Sequence, residues 1–375
     1  MKNPLVIIGI VVVLIVGFVV MREQGIFAPA EKLYVAAEGD GKIVVIDPAK
    51  KSVITSIDLT VEHDGGTVKF FPHNIQVAPN GKSVWVTANS GKHEGHSGGF
   101  IPAALAHGEA VEGSNPDEVI VINPLTDRII KRIPLDKGVQ GAHVVVTADG
   151  SYAYATAQKV GIIYKINAKT YEIEKKIPAP SASQPRGMRI SLDDQTLYIA
   201  MLTGKALGML DLATDKLTQV GLPGQVVQVG VTPDGKTVFA SLYDTKQLAM
   251  YRVDTKSTVM VDLPPSAKGP VQMYPTPDSR FVYLADQGYY FGQLQNNIVY
   301  KIDVSTGQIV KEIKAGDAPH GVVVSKDGKF VYITNLKSDD VSIIDTATDM
   351  EVGKIPVGKE PNGISIWSKS LGGTP

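Results

Sequence analysis

From Lys32 onward, apolar and polar positions alternate in short runs separated by turn signals, the pattern of consecutive β-strands. Six stretches repeat one hairpin: PHNIQVAPNGKSVWVTAN (72–89), GAHVVVTADGSYAYATA (141–157), PRGMRISLDDQTLYIAM (185–201), VVQVGVTPDGKTVFASL (226–242), GPVQMYPTPDSRFVYLAD (269–286) and PHGVVVSKDGKFVYITN (319–335). Each reads as an apolar strand, an Asp/Asn-Gly type turn and a second strand rich in β-branched and aromatic residues. A third strand follows, as in NIVYKIDVSTGQI and DVSIIDTATDMEV, and a fourth runs to the next copy.

The turn positions Gly81, Gly150, Asp194, Gly235, Ser279 and Gly328 lie 69, 44, 41, 44 and 49 residues apart. A period in the low forties with four strands per unit is that of a propeller blade. The chain opens in mid-blade with KLYVAAEGDGKIVVIDPAKKSVITSIDL, strands two to four, and ends with PNGISIWS, a first strand without its hairpin partner. The fragments complete one another, which predicts an all-β, seven-bladed propeller whose C-terminal strand closes blade 1 and removes exposed sheet edges. The long first interval marks an insertion at 90–117 in blade 2, and DQGYYFGQLQNN (286–297) a smaller one in blade 6.

Ahead of the repeats, LVIIGIVVVLIVGFVVM runs uncharged from Leu5 to Met21 and closes on Arg22 and Glu23. As a helix it would span roughly 25 Å, the short end of what crosses a bilayer. An uncleaved transmembrane anchor is preferred to a cleaved signal, because the small-residue stretch Ala28 to Ala30 stands far from the apolar run. Residues 1–30 are thus read as signal or anchor plus linker, and 31–375 as the propeller. On either reading the propeller is extracytoplasmic, in a periplasm, at a cell surface or in an equivalent lumen, membrane-anchored or secreted.

A net charge of −1 offers no basic stripe for phosphates, which sets nucleic acid aside as a partner. The absence of cysteine excludes disulfides, covalently attached c-type haem, iron–sulfur clusters and thiolate copper sites. Any metal has to rest on His, Met, Asp or Glu.

The segment VYITNLKSDDVSIIDTATDMEVGKIPVGKEPNGISI resembles the YVTN-type, YncE-like propeller repeat. The resemblance covers residues 32–368, with blade 1 and the region 90–117 departing from it. It implies an extracytoplasmic or cell-surface seven-bladed propeller, in a family that ranges from binding and scaffold modules to redox proteins. In size, apolar N-terminus and lack of haem motifs the chain is similar to the propeller subunit of the anammox hydrazine synthase. That likeness implies protein subunits as partners, multihaem cytochromes among them, with the haems or metals supplied by other chains.

Propeller topology gathers the seven histidines on one face. His73, His143 and His320 enter first strands at the mouth of the central funnel, His63 lies in a connection between blades, and His93, His96 and His107 lie in the blade 2 insertion. Converging imidazoles suit zinc or copper. The alternative is that they bond neighbouring loop backbone and that the insertion is a polar surface loop. His143 stands one register step from His73 and His320, so it points away from them unless a bulge intervenes. Arg186 occupies the same mouth position as His73 and His320 and suits either an anion or an ion pair. Gln228 and Gln272 repeat the His143 position and would line a polar funnel. Tyr289, Tyr290 and Phe291, on the blade 6 insertion, read as an exposed partner-docking patch. GHSGG (95–99) matches G-x-S-x-G, but that nucleophile turn needs an α/β context this chain lacks.

Two functions stay open: a non-catalytic binding or scaffold subunit of an extracytoplasmic redox complex, and a His-ligated copper or zinc oxidoreductase with its site at the funnel mouth. Docking by the 91–117 loop is preferred to metal binding by it.

Overall fold

The computed structural model of the protein describes residues 29–63, 66–91, 115–290 and 293–369. Seven four-stranded antiparallel sheets form the blades of a propeller. Their innermost strands are Pro361–Ser368, Phe70–Val77, Gly141–Val146, Pro185–Ile190, Val226–Val231, Pro270–Pro275 and Pro319–Val324 for blades 1 to 7. Each touches the next, and the seventh touches the first, so the ring closes.

Middle strands are covered on both faces by neighbouring blades, and their sequences are accordingly apolar throughout rather than alternating. Thr237–Leu242 is buried along its whole length, whereas the outermost strand of blade 1, Ser52–Asp58, is almost wholly exposed. The apolar cores lie between adjacent sheets: Tyr34 and Ile43 of blade 1 pack with Ile75 and Val86 of blade 2.

The six predicted turn positions all take a left-handed backbone, with φ of 67° at Gly81, 68° at Gly150, 56° at Asp194, 71° at Gly235, 61° at Ser279 and 73° at Gly328. The amide of each donates to the carbonyl three residues back at 2.8–3.0 Å. The conformation recurs even where glycine does not, because the turn hydrogen bond holds it.

Ring closure follows the predicted strand. Pro361–Ser368 pairs antiparallel with Glu31–Ala37, setting Leu33 against Ile366 and Val35 against Ile364. Trp367, buried to 1 % exposure, donates from Nε1 to the Gly81 carbonyl at 2.8 Å and so pins the closing strand to the blade 2 turn. A two-stranded hairpin, Val61–His63 with Gly66–Val68, sits between blades 1 and 2 and carries the backbone of His63; the repeat pattern did not predict it. The expected membrane helix at Leu5–Met21 lies outside the described residues, and no helix among the described residues is long and apolar enough to cross a membrane.

Candidate functional site

All seven innermost strands carry a register shift at the same place, for example between Pro72 and Asn74, between Gly141 and Val144, and between Pro319 and Val322. An extra residue interrupts strict alternation. His143, two residues past Gly141 where the shift begins, therefore joins the same axial cluster as His73 and His320, each one residue past the corresponding Pro72 and Pro319.

The bulged backbone is stitched from blade to blade by hydroxyls. The amide of Asn74 donates to Thr87 Oγ1 at 3.1 Å, and that hydroxyl donates to the Ala142 carbonyl of the next blade at 3.2 Å. Thr156 links His143 to the Arg186 carbonyl, Ser241 links Gln228 to Val271, and Thr334 links Gly321 to Asn362 in the same way. Where the residue two past the start of the shift is glycine the next blade stands too close for a side chain: a Cβ on Gly321 would fall 2.5 Å from the Asn362 carbonyl oxygen.

On this frame each axial imidazole meets a partner from another blade. His73 Nδ1 lies 3.2 Å from Glu38 Oε1, and Asn362 Nδ2 donates to Glu38 Oε2 at 2.7 Å. Because the carboxylate only accepts, the proton of the imidazole belongs on Nδ1. His320 Nδ1 lies 2.5 Å from Gln287 Oε1, and its ring meets the Tyr290 ring edge-on at 6.1 Å. His143 Nε2 is approached by the amide nitrogens of Gln228 at 3.2 Å and Gln272 at 3.3 Å, and Gln228 in turn bonds the Gln272 carbonyl. Two amide donors make that nitrogen an acceptor, so His143 is neutral with its proton on the buried Nδ1, an atom with no hydrogen-bond partner. Burial first, and then the positive charge of Arg189, His73, Arg186 and His320, push the His143 pKa well below its ordinary value.

Arg186 is buried at the same mouth. Desolvation lowers its pKa to about 10 against the opposing pull of Tyr290 and Glu38. The Glu38 carboxylate therefore stands near enough to act on it electrostatically.

One expectation needs correction. Tyr290 is not exposed: it is 3 % accessible and packs in the core with Leu202, Val227 and Tyr283, while Tyr243 donates to its carbonyl at 2.7 Å. Tyr289 packs beside that cluster under Lys337, whose Nζ stands 4.3 Å from the ring centre. An aromatic on an insertion finds more apolar area by folding back over the funnel than by facing water, so Tyr290 is withdrawn from the expected exposed patch and Tyr289 is half-buried. Phe291 lies outside the described residues. Among the described residues no three His, Cys, Asp or Glu side chains, those of His73, His143 and His320 included, are placed together to hold a metal ion. Each ring is drawn to its own carboxylate or amide instead of to a common point. His93, His96 and His107 lie outside the described residues.

The partners were missed by the repeat reading, though their signal was present. Glu38 and Gln287 occupy the same place in the repeat, at the end of the second strand of blades 1 and 6, and each meets the histidine that follows Pro72 or Pro319 in the next blade's inner strand. Asn362 stands where His73 and His320 stand in their own blades.

Comparison with known proteins agrees with this architecture. The sequence profile of the family described as outer membrane protein assembly factor BamB matches residues 74–313, and that of the YNCE-like beta-propeller matches 278–371. Antigen Lp49 of Leptospira interrogans is 25% identical over 174 residues, 42% of this chain; the match spans only 38% of that protein's length. Among solved structures, a chain of the Kuenenia stuttgartiensis hydrazine synthase superposes with a TM-score of 0.62 at 17% identity, covering 78% of this chain and 89% of that one. Virginiamycin B lyase from Staphylococcus aureus gives 0.61 at 17%, covering 78% and 87%. A protein from Desulfotomaculum acetoxidans gives 0.67 at 13%, covering 90% and 99%. At such identities these structures share the fold.

Proposed function

Because the chain belongs to the β-propeller family of the outer membrane protein assembly factor BamB, with a YNCE-like stretch at its C-terminal end, we propose that it is an exported, non-catalytic binding and scaffold propeller. One observation carries the reading. The imidazoles at the funnel mouth are spent on joints between blades, His73 to Glu38, which Asn362 also bonds, His143 to Gln228 and Gln272, His320 to Gln287, with Tyr290 folded among them. Groups committed to holding the ring rigid leave recognition to the loops around it, and the blade 2 insertion at 90–117 is the longest of these by sequence. Insertions of that length in a compact domain are usually functional.

The extracytoplasmic site of action is part of the proposal. It draws on the apolar run Leu5–Met21, on the outer-membrane family and on the antigen match. A finer form makes the partner a redox subunit, multihaem chains included; it draws on the likeness to a hydrazine synthase chain, which is a likeness of fold.

The test is isolation of the tagged full-length chain from solubilised membranes of its own cell, beside a deletion of 92–114 and a His73→Ala, His320→Ala double variant. Stoichiometric partner subunits that persist with the double variant and vanish with the deletion support docking; haem absorbance in the isolate supports the redox form. Retention of every partner by the deletion variant contradicts docking by the loop.

A further inference from the structure

The central channel is not filled along its whole length. On the face opposite the histidines, where the turns between first and second strands emerge, it widens into a cavity of about 470 Å³. Volumes of that order hold small organic ligands. Its wall is built mainly from inner strands: Gln76, Arg189, Gln272 and Tyr274 supply polar groups, and Val231, Val322 and Ile364 supply apolar surface.

Arg189 is the odd member. Its Nη1 donates to the neighbouring Met188 carbonyl at 2.8 Å, and no carboxylate among the described residues pairs with it. Burial lowers its pKa, with Tyr274 pulling the other way. A second group points the same way: Gln76 Oε1 is buried without a hydrogen-bond partner. Arg189 is half-buried; a charge drawn partly out of water and left without a counter-charge is costly to maintain, and a guanidinium presents a planar fork of donors matched to a carboxylate.

We propose that this cavity is a binding site for a small organic carboxylate, its charged end held by Arg189 and its alkyl or aryl body against Val231, Val322 and Ile364. Gln76 Oε1 adds an acceptor for a ligand hydroxyl or amide. The cavity is lined by none of the residues 90–117, so it stands or falls independently of the docking function.

The experiment is titration of the residue 31–375 chain, and of Arg189→Met and Gln76→Glu variants, with phenylacetate, phenylacetamide and inorganic phosphate, followed by saturation-transfer NMR and calorimetry. Expected are phenylacetate binding at least about tenfold tighter than the isosteric amide and than phosphate, and loss of that advantage in Arg189→Met with amide binding unchanged. Gln76→Glu places a carboxylate inside the same cavity and is expected to lower phenylacetate affinity even if Arg189→Met fails to fold. Absence of phenylacetate binding, equal affinity for acid and amide, or undiminished binding in the folded variants overturns the proposal; phosphate binding as tightly as phenylacetate overturns the organic ligand.

Discussion

His73 and Glu38 meet across a blade boundary, Nδ1 to Oε1 at 3.2 Å, in a region where both side chains are nearly excluded from water. The carboxylate also receives Asn362 from the closing strand, so one residue joins the start of the propeller, blade 2 and the C-terminal strand. Glu38→Ala leaves an imidazole and an amide without their acceptor, and unsatisfied buried donors cost about 1–3 kcal/mol each. A lower denaturant midpoint is expected, with Glu38→Gln falling between the variant and the parent.

The blade-to-blade hydroxyls make a second prediction. Thr334 Oγ1 accepts from Gly321 and donates to Asn362, both at 2.7 Å. Thr334→Val keeps the shape and removes both bonds, for a loss of about 1–3 kcal/mol; Thr334→Ser keeps the hydroxyl and is expected to stay near parent stability by chemical denaturation.

Much of this frame is legible in the chain. The six turn positions and the final strand could be placed because a repeat reports the same local geometry six times, and Asp194 and Ser279 held their places although neither is glycine. What escaped is whatever crosses between blades. Periodicity assigns Glu38, Gln287 and Asn362 to strands and loops, yet their meeting with the histidines depends on how far each inner strand stands from the axis. The burial of Tyr290 escaped for a related reason: an insertion breaks the repeat, and only the packed funnel shows that its aromatic ring turns inward. Arg189 escaped because the repeat places it on an inner strand without showing that the channel widens there.

His143 predicts a pH dependence. Its folded pKa is depressed from the ordinary 6.5, chiefly by burial. The unfolded chain thus binds the proton more readily, and the stability tied to the neutral ring is full above pH 6.5 and declines as pH falls below it. His143→Gln removes the ionisable group; a flatter dependence of the unfolding midpoint between about pH 6.5 and 5 is expected, and an unchanged slope counts against a buried neutral imidazole.

Closure of the ring is tested at Trp367, which packs between blade 1 and blade 2 and bonds Gly81. Trp367→Ala is expected to cost about 3–5 kcal/mol, and deletion of residues 361–375 to expose the inner edge of Glu31–Ala37 and produce aggregation. Wild-type melting and solubility in the deletion would contradict closure by this strand.

We infer that the funnel-mouth histidines act as joints between blades and not as metal ligands. The most direct measurement is zinc and copper content of the purified residue 31–375 chain by mass spectrometry, alongside the His73→Ala, His320→Ala variant. Joints predict no stoichiometric metal that depends on these residues, together with a lowered melting temperature in the variant; one metal per chain that disappears with the two imidazoles would contradict it.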